Sequence, residues 1–224
     1  MNITNEQKLQ FDKYYELLTE WNQKINLTAI TDRDEVWVKH FEDSISIERI
    51  LDMTSVETAI DIGTGAGFPG IPLKIVYPDL KITLLDSLDK RLRFLEEVIS
   101  ELGLSDVTLI HGRAEDYGRD PDHREKYDLC VSRAVAALPV LSELCIPFVK
   151  IGGSFTAYKS EKAEEEIQNS GKVISLLGAE ISSTQSFSLS GGDHSRTIIR
   201  IDKLESTPDK YPRRAGVPSK KPIL

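Results

Sequence analysis

The chain has 224 residues, with 28 Lys and Arg against 36 Asp and Glu, and a formal net charge of −8. This length suits one domain with a sizeable core, alone or with a small extension. The sequence holds no long uncharged apolar run, which excludes a transmembrane helix. We expect a cytoplasmic protein without a metal site, because the first residues do not form a signal peptide and Cys130 and Cys145 are the only cysteines. Taken alone, the acidic balance argues against a nucleic-acid partner.

Two helices are predicted before the first glycine of the chain. Residues 4–25 carry apolar side chains at helical spacing, and Thr4 with Gln7 has the pattern of a capping box. A second helical stretch is predicted over residues 34–53. Because neither Gly nor Pro occurs before Gly63, residues 1–54 are predicted to form a compact helical extension.

From residue 57 the pattern becomes one of short apolar strands alternating with helices. Strands are predicted at 57–63, 81–87, 106–112, 126–133 and 152–160, and helices at 72–78, 89–104, 136–149 and 162–178. Such alternation predicts a doubly wound parallel sheet covered by helices, over residues 55–207. Segments 179–189 and 196–204 predict an antiparallel pair joined by a Gly-rich turn at 190–195.

A glycine-rich loop after the first predicted strand is the sharpest local signal. The pattern G-x-G-x-x-G is matched by Gly65, Gly67 and Gly70, and Asp86 ends the next predicted strand. A dinucleotide cofactor is one interpretation, with Asp86 on the ribose. S-adenosylmethionine is the other, because Asp61 beside the loop suits a cationic ligand better than a pyrophosphate. The terminal antiparallel pair is also similar to the sheet of methyltransferases.

Positive charge is concentrated at the end of the chain. Residues 200–224 hold seven basic and three acidic side chains, a net charge of +4, so residues 1–199 carry −12. We interpret residues 208–224 as a basic tail that packs along the domain and contacts phosphate, the alternative being a solubilising tail. An acidic body with a basic segment is typical of a protein that binds RNA selectively through few phosphate contacts.

Several blocks in order resemble the bacterial ribosomal small-subunit RNA methyltransferase G family, also called glucose-inhibited division protein B. They are residues 61–98, WNQKINLTAI at 21–30, HFEDSIS at 40–46, VSRAVA at 131–136, YKS at 158–160 and KYPRRAGVPSKKPIL at 210–224. The resemblance implies a Rossmann-like α/β fold with a mostly parallel seven-stranded sheet, a C-terminal antiparallel hairpin and an N-terminal helical extension. It also implies methyl transfer from S-adenosylmethionine to N7 of one guanosine in the decoding region of 16S ribosomal RNA, by a monomer acting on the small ribosomal subunit.

The resemblance also implies site residues. At the cofactor it implies Gly63, Phe68, Asp86, Ala114, Glu115 and Arg133, to which the glycine-rich loop itself adds Asp61 and Gly65. Guanine N7 carries a lone pair and no proton, so we expect no general base, with Arg133 and Lys159 positioning the substrate. Candidates for RNA contact are Asn26, His40, Arg113, Arg196, Arg213 and Arg214. Open alternatives are a small-molecule N-methyltransferase, an NAD-type enzyme and a non-catalytic ribosome-assembly factor.

Overall fold

A seven-stranded sheet forms the centre of the protein. The computed structural model describes residues 3–160, 163–190 and 195–224. The strands are β1 (Thr58–Ile62), β2 (Lys81–Asp86), β3 (Val107–His111), β4 (Tyr127–Arg133), β5 (Val149–Lys159), β6 (Ala179–Ser188) and β7 (Ser195–Lys203). Their order is β3-β2-β1-β4-β5-β7-β6. The first five are parallel, and β7 is antiparallel to β5 and to β6. The predicted fold class is therefore confirmed, while most of the turn predicted at 190–195 lies outside the described residues.

Helices cover both faces of this sheet. They are α1 (Asn5–Asn22), α2 (Arg33–Val36), α3 (Asp43–Ile45), α4 (Gly70–Val76), α5 (Asp89–Glu101), α6 (Ala114–Tyr117), α7 (Leu138–Cys145), α8 (Ala163–Gln168), α9 (Gly171–Leu176) and α10 (Val217–Lys220). A π-helical turn, Trp37–Glu42, joins α2 to α3. The helix predicted over 162–178 is two short helices, since the chain turns at Ser170. None of the helices in the described ranges is long and apolar enough to cross a membrane.

The first helix docks on the glycine-rich loop and the helix that follows it. The capping box is present, with Gln7 N donating to Thr4 Oγ1 (3.2 Å) and Thr4 N donating to Gln7 Oε1 (3.0 Å). Gln7 Nε2 also donates to Ile75 O at the end of α4 (3.0 Å). The hydroxyl of Tyr14, which is buried, donates to Ala66 O in the loop. The helical extension therefore supports the loop directly.

The end of the chain packs against the domain as a segment that we call the C-terminal strap, residues 207–224. Arg124 donates to Thr207 O (2.5 Å) and Tyr211 O (2.8 Å). Arg213 Nη2 lies 2.7 Å from Glu143 Oε2, and its backbone amide donates to Glu143 Oε1 (2.8 Å). Because the side chain of Glu143 is only 1% exposed, this ion pair anchors the strap to α7.

We predict that Arg213→Ala lowers the free energy of unfolding by about 3 kcal/mol, because it leaves the buried carboxylate of Glu143 without its charge partner. Urea unfolding measures the loss. The matched control is Arg214→Ala, since Arg214 is the exposed neighbour and should change stability by less than about 0.5 kcal/mol. Equal stability of the two variants would contradict the anchoring role of Arg213.

Candidate functional site

A cavity of about 490 Å³ opens at the carboxyl ends of β1, β2 and β4. In the sheet order, β1 lies between β2 and β4, so the chain crosses to the other half of the sheet at this place. Ligands of open α/β sheets bind at such a switch point. The volume suits a nucleoside-sized ligand.

Most amides of the glycine-rich loop are already engaged within the protein. Gly63 N donates to Leu85 O (2.8 Å), Gly65 N to Asp86 Oδ2 (2.9 Å) and Gly70 N to Asp61 Oδ2 (3.0 Å). The amides of Thr64, Gly67, Phe68 and Ile71 also donate to backbone carbonyls. A pyrophosphate needs free amides at the loop and at the start of its helix. This loop therefore suits a ligand without phosphate.

Two glycines of the loop are required by its geometry. Gly63 has a φ of +71°, and a Cβ added there would lie 2.5 Å from Val135 Cγ2. Gly65 has a φ of +61°, and a Cβ there would meet only Gly63 O, at 3.9 Å. Gly63 thus permits close packing against the β4–α7 connection, while Gly65 faces the open cavity.

The predicted cofactor ligand Asp61 lies behind the loop. Its carboxylate is fully buried and accepts from Thr64 Oγ1 (2.7 Å) as well as from Gly70 N. Asp61 is absent from the cavity lining, and its Oδ1 has no hydrogen-bond partner among the described residues. Burial raises the pKa of Asp61 to about 7, although both hydrogen bonds oppose this change. The structure gives Asp61 the role of shaping the loop.

Asp86 and Glu115 bring carboxylates to the cavity, and both are buried. Asp86 Oδ1 accepts from Leu88 N (2.9 Å), and Asp86 Oδ2 accepts from Gly65 N and from Arg91 Nη1 (3.2 Å). Glu115 Oε1 accepts from Gly216 N of the C-terminal strap (2.8 Å). Ala114, Arg113 and Ser219 complete this side, so the strap forms part of the cavity wall.

The opposite wall is built from aromatic and cationic side chains. The rings of His40 and Phe68 stack with centroids 4.5 Å apart, and the guanidinium of Arg133 lies 5.1 Å from the centroid of Phe68. Arg133 Nη2 lies 3.2 Å from His40 Nδ1, and His40 Nε2 lies 2.8 Å from Thr28 Oγ1. His40 Nδ1 also lies 3.1 Å from Lys39 O, so this nitrogen faces a donor, Arg133, and an acceptor, the Lys39 carbonyl. Burial, with the charge of Arg133, lowers the pKa of His40 to about 3, so the ring is neutral.

A second cavity, of about 560 Å³, adjoins the first and shares its residues His40, Arg133, Ala134 and Val135. Lys159 and Arg196 also line it. The side chain of Lys159 is 9% exposed, and its Nζ lies 2.7 Å from Glu166 Oε2. Four residues predicted to contact the substrate therefore line this second cavity: His40, Arg133, Lys159 and Arg196.

Three predicted RNA contacts lie elsewhere. Asn26 is exposed in the loop after α1 and lines neither cavity. The guanidinium of Arg213 is bound to Glu143, whereas Arg214 is exposed on the C-terminal strap. Within the described ranges, no cluster of His, Cys, Asp and Glu has the geometry of a metal site.

Residues 7–198 match the family model described as rRNA small subunit methyltransferase G. Two proteins named ribosomal RNA small subunit methyltransferase G are similar over almost the whole length. That of Acetivibrio thermocellus is 53% identical over 100% of this chain and 91% of its own length, and that of Geobacillus kaustophilus is 52% identical over 96% and 90%. The chain belongs to the rRNA small subunit methyltransferase G family.

Solved structures agree on the fold of this family member. M. jannaschii TYW2, whose crystal structure contains AdoMet, superposes with a TM-score of 0.57 at 17% identity over 74% of this chain and 76% of that chain. At this identity the similarity bears on the fold alone, which is the Rossmann-like methyltransferase fold.

The residues of the cavity fit S-adenosylmethionine, the cofactor of the family. Among the described residues of the loop, every backbone amide except that of Ala66 is engaged, so the loop lacks the set of free amides that a pyrophosphate needs. The space beside Gly65 is open, and the carboxylates of Asp86 and Glu115 suit a ligand with hydroxyl and amino donors and a positive charge. These observations favour this cofactor over a dinucleotide.

Several lining residues escaped the sequence interpretation. Thr28, Val135 and Ser219 line the first cavity, and Asp43 lines the second. The loop that carries Thr28 is held by Asn22, whose Oδ1 accepts from Leu27 N (2.8 Å) and Thr28 N (3.0 Å). Asn22 and Thr28 lie in the segment WNQKINLTAI, one of the segments that carry the family resemblance. That resemblance is the sequence feature that could have identified them as site residues.

Asp61 should make the stability of the protein depend on pH. Its pKa is about 7 in the folded chain against the ordinary 3.8, so between these values the folded state binds a proton that the unfolded state releases. Its contribution to stability is complete below pH 3.8 and is lost as the pH rises through 7. Urea unfolding from pH 5 to 8 should show the wild type losing stability relative to Asp61→Asn, by about 1.4 kcal/mol for each pH unit below the folded-state pKa. Parallel pH profiles would contradict the raised pKa.

Proposed function

We propose that this protein transfers the methyl group of S-adenosylmethionine to N7 of one guanosine in the decoding region of 16S ribosomal RNA. Family membership over nearly the whole chain supports this function. The observation that carries it in the structure is the junction of the two cavities across His40, Arg133, Ala134 and Val135. One cavity suits the cofactor and the other has basic walls, so a methyl donor and a nucleotide can meet at their boundary.

The chemistry asks the protein for alignment rather than proton transfer. When bound, S-adenosylmethionine supplies an electrophilic methyl group on a sulfonium. Guanine N7 attacks through its in-plane lone pair, so no proton has to be removed. His40 agrees with this requirement, because burial beside Arg133 lowers its pKa to about 3 and makes it a very weak base. The protein must hold N7 free, so its cations are expected on O6 and on phosphate.

The cofactor side of the site follows from the walls of the first cavity. We assign Gly63, Gly65 and Phe68 to the space around the methionine part, and Asp86 to the ribose. Ala114 and Glu115 would meet the adenine, next to the C-terminal strap. Asp61 acts by holding the loop, and Arg133 lies where the two cavities meet.

The RNA side is expected to use the second cavity and exposed cations around it. Lys159 and Arg196 line that cavity, and Arg113 lies at the rim of the first. Arg214 offers a further charge on the C-terminal strap.

We propose that the substrate is the small ribosomal subunit or its RNA and that the enzyme acts in the cytoplasm as a monomer. The domain division is 1–54, 55–207 and 208–224.

The test is methylation of a defined substrate by the purified protein. Small subunits and deproteinised 16S RNA, both from a strain that lacks this protein, are incubated with S-adenosylmethionine, and nuclease digests are analysed by mass spectrometry. We expect one 7-methylguanosine per RNA, located in the decoding region. Calorimetric titration should show binding of S-adenosylmethionine and not of NAD. Incorporation at another atom, or none with either substrate, would contradict the proposal.

We predict that Gly63→Ala weakens the binding of S-adenosylmethionine at least tenfold, because its Cβ would displace Val135 from the cavity wall. The matched control is Gly103→Ala. Gly103 also has a positive φ, of +62°, but no atom lies within 4 Å of a Cβ added there, so this variant carries the backbone strain without the clash. Calorimetry with both variants separates the two effects. Equal affinity in Gly63→Ala and Gly103→Ala would refute the role assigned to Gly63.

A further inference from the structure

A buried carboxylate joins two arginines across the second cavity. The side chain of Asp43 is 3% exposed and comes from α3 of the helical extension. Its Oδ2 lies 2.8 Å from Arg133 Nη1, and its Oδ1 lies 3.2 Å from Arg196 Nε. Arg133 ends β4 and Arg196 begins β7, with β5 between these strands. Adjacent strands are about 4.8 Å apart, so Asp43 spans about 10 Å of sheet.

The position of Asp43 is itself fixed. Tyr158 on β5 is buried, and its hydroxyl donates to Ser44 O (2.6 Å), next to Asp43. In the register of the sheet, Tyr158 pairs with Arg133 on one side and with Ile198 on the other. The π-helical turn Trp37–Glu42 directly precedes Asp43 and carries His40, the other partner of Arg133. Such turns are frequent at functional sites.

The charges of this cluster leave an excess of one positive charge at the cavity. Lys159 is neutralised by Glu166, and Lys39 pairs with Glu35. The single charge of Asp43 is shared by two guanidinium groups. Arg133 and Arg196 also retain N–H groups that the hydrogen bonds within the described part of the protein do not use. These two arginines therefore remain available to an acceptor in the cavity.

We propose that Asp43 is a positioning residue that holds Arg133 and Arg196 in the orientation needed to bind acceptor oxygens of the target nucleotide. The inference rests on the proposed function and deepens it, because it assigns the second cavity to the nucleotide. The acceptors are the phosphate oxygens or O6 of the guanine, and N7 stays free for attack. Without Asp43 the two guanidinium groups repel each other and lose the shared carboxylate that fixes their orientation.

The experiment compares Asp43→Asn, Asp43→Glu and the wild type in methyl transfer to small ribosomal subunits that lack the methyl group. We expect kcat to fall about 100-fold in Asp43→Asn, the loss typical of a misplaced substrate, while the Kd of S-adenosylmethionine changes less than threefold. Asp43→Glu keeps the charge and should retain at least ten times the activity of Asp43→Asn. If Asp43→Asn does not fold, Arg196→Gln replaces it, because it removes one of the two guanidinium groups that Asp43 holds. A folded Arg196→Gln with the wild-type kcat overturns the inference.

Asp128→Asn is the matched control for lost stability. Asp128 is a carboxylate with a 14% exposed side chain that accepts from Thr58 N (2.8 Å) and pairs with Lys150. It lies near the amino end of β4, away from both cavities. We expect Asp128→Asn to unfold at a lower temperature and to keep the wild-type kcat.

The outcomes separate this inference from the proposed function. A folded Asp43→Asn with kcat within threefold of the wild type, or a loss confined to the affinity for S-adenosylmethionine, overturns the role of Asp43 alone. A wild type that does not methylate the subunits overturns the proposed function and the inference with it.

Salt titration distinguishes the two kinds of acceptor that the arginines could bind. If the slope of log KM against log salt is shallower by about 0.7 in Asp43→Asn than in the wild type, the acceptor is a phosphate. An unchanged slope identifies O6 of the guanine as the acceptor.

Discussion

Two buried carboxylates fix the glycine-rich loop, and the rest of the site depends on them. Asp61 binds the start of α4 through Gly70 N, and Asp86 binds the middle of the loop through Gly65 N. Each bond consumes an amide that a phosphate would otherwise use. The loop matches the G-x-G-x-x-G sequence of dinucleotide-binding proteins, but its hydrogen bonds suit a ligand without phosphate. The cost is the burial of Asp61, which appears as its raised pKa.

The helical extension completes the site as well as covering the sheet. Tyr14 binds the loop from outside, His40 packs on Phe68, and Asp43 pairs with arginines from two strands. The extension therefore supplies part of the wall of both cavities. The ends of the strands supply charged side chains at the edge of that wall. The proposed nucleotide site is therefore complete only when the extension is packed against the sheet.

The sequence predicted the features that depend on local pattern. Alternation of apolar runs gave the five parallel strands, and the capping box at Thr4 gave the start of α1. The sequence did not reveal the role of Asp43. Its partner Arg196 lies close to it only because β7 pairs with β5 in the folded sheet. The run of basic residues at 210–221 predicts Arg213 as a phosphate contact, but its guanidinium pairs with Glu143 of α7, far earlier in the chain. Pairings between distant segments leave no periodic signal, so the structure was needed to find them.

The distribution of charge acquires a physical meaning from these pairings. The basic end of the chain has fewer free charges than its composition suggests, because Arg213 is bound to Glu143 and anchors the C-terminal strap. The strap in turn places Gly216 on Glu115 and Ser219 in the cofactor cavity. Arg213 therefore serves the cofactor site indirectly, by anchoring the strap, while Arg214 remains exposed. Because the chain as a whole carries a net charge of −8, we expect its affinity for RNA to depend on one shaped cavity rather than on a uniformly basic surface, which suits the methylation of a single guanosine.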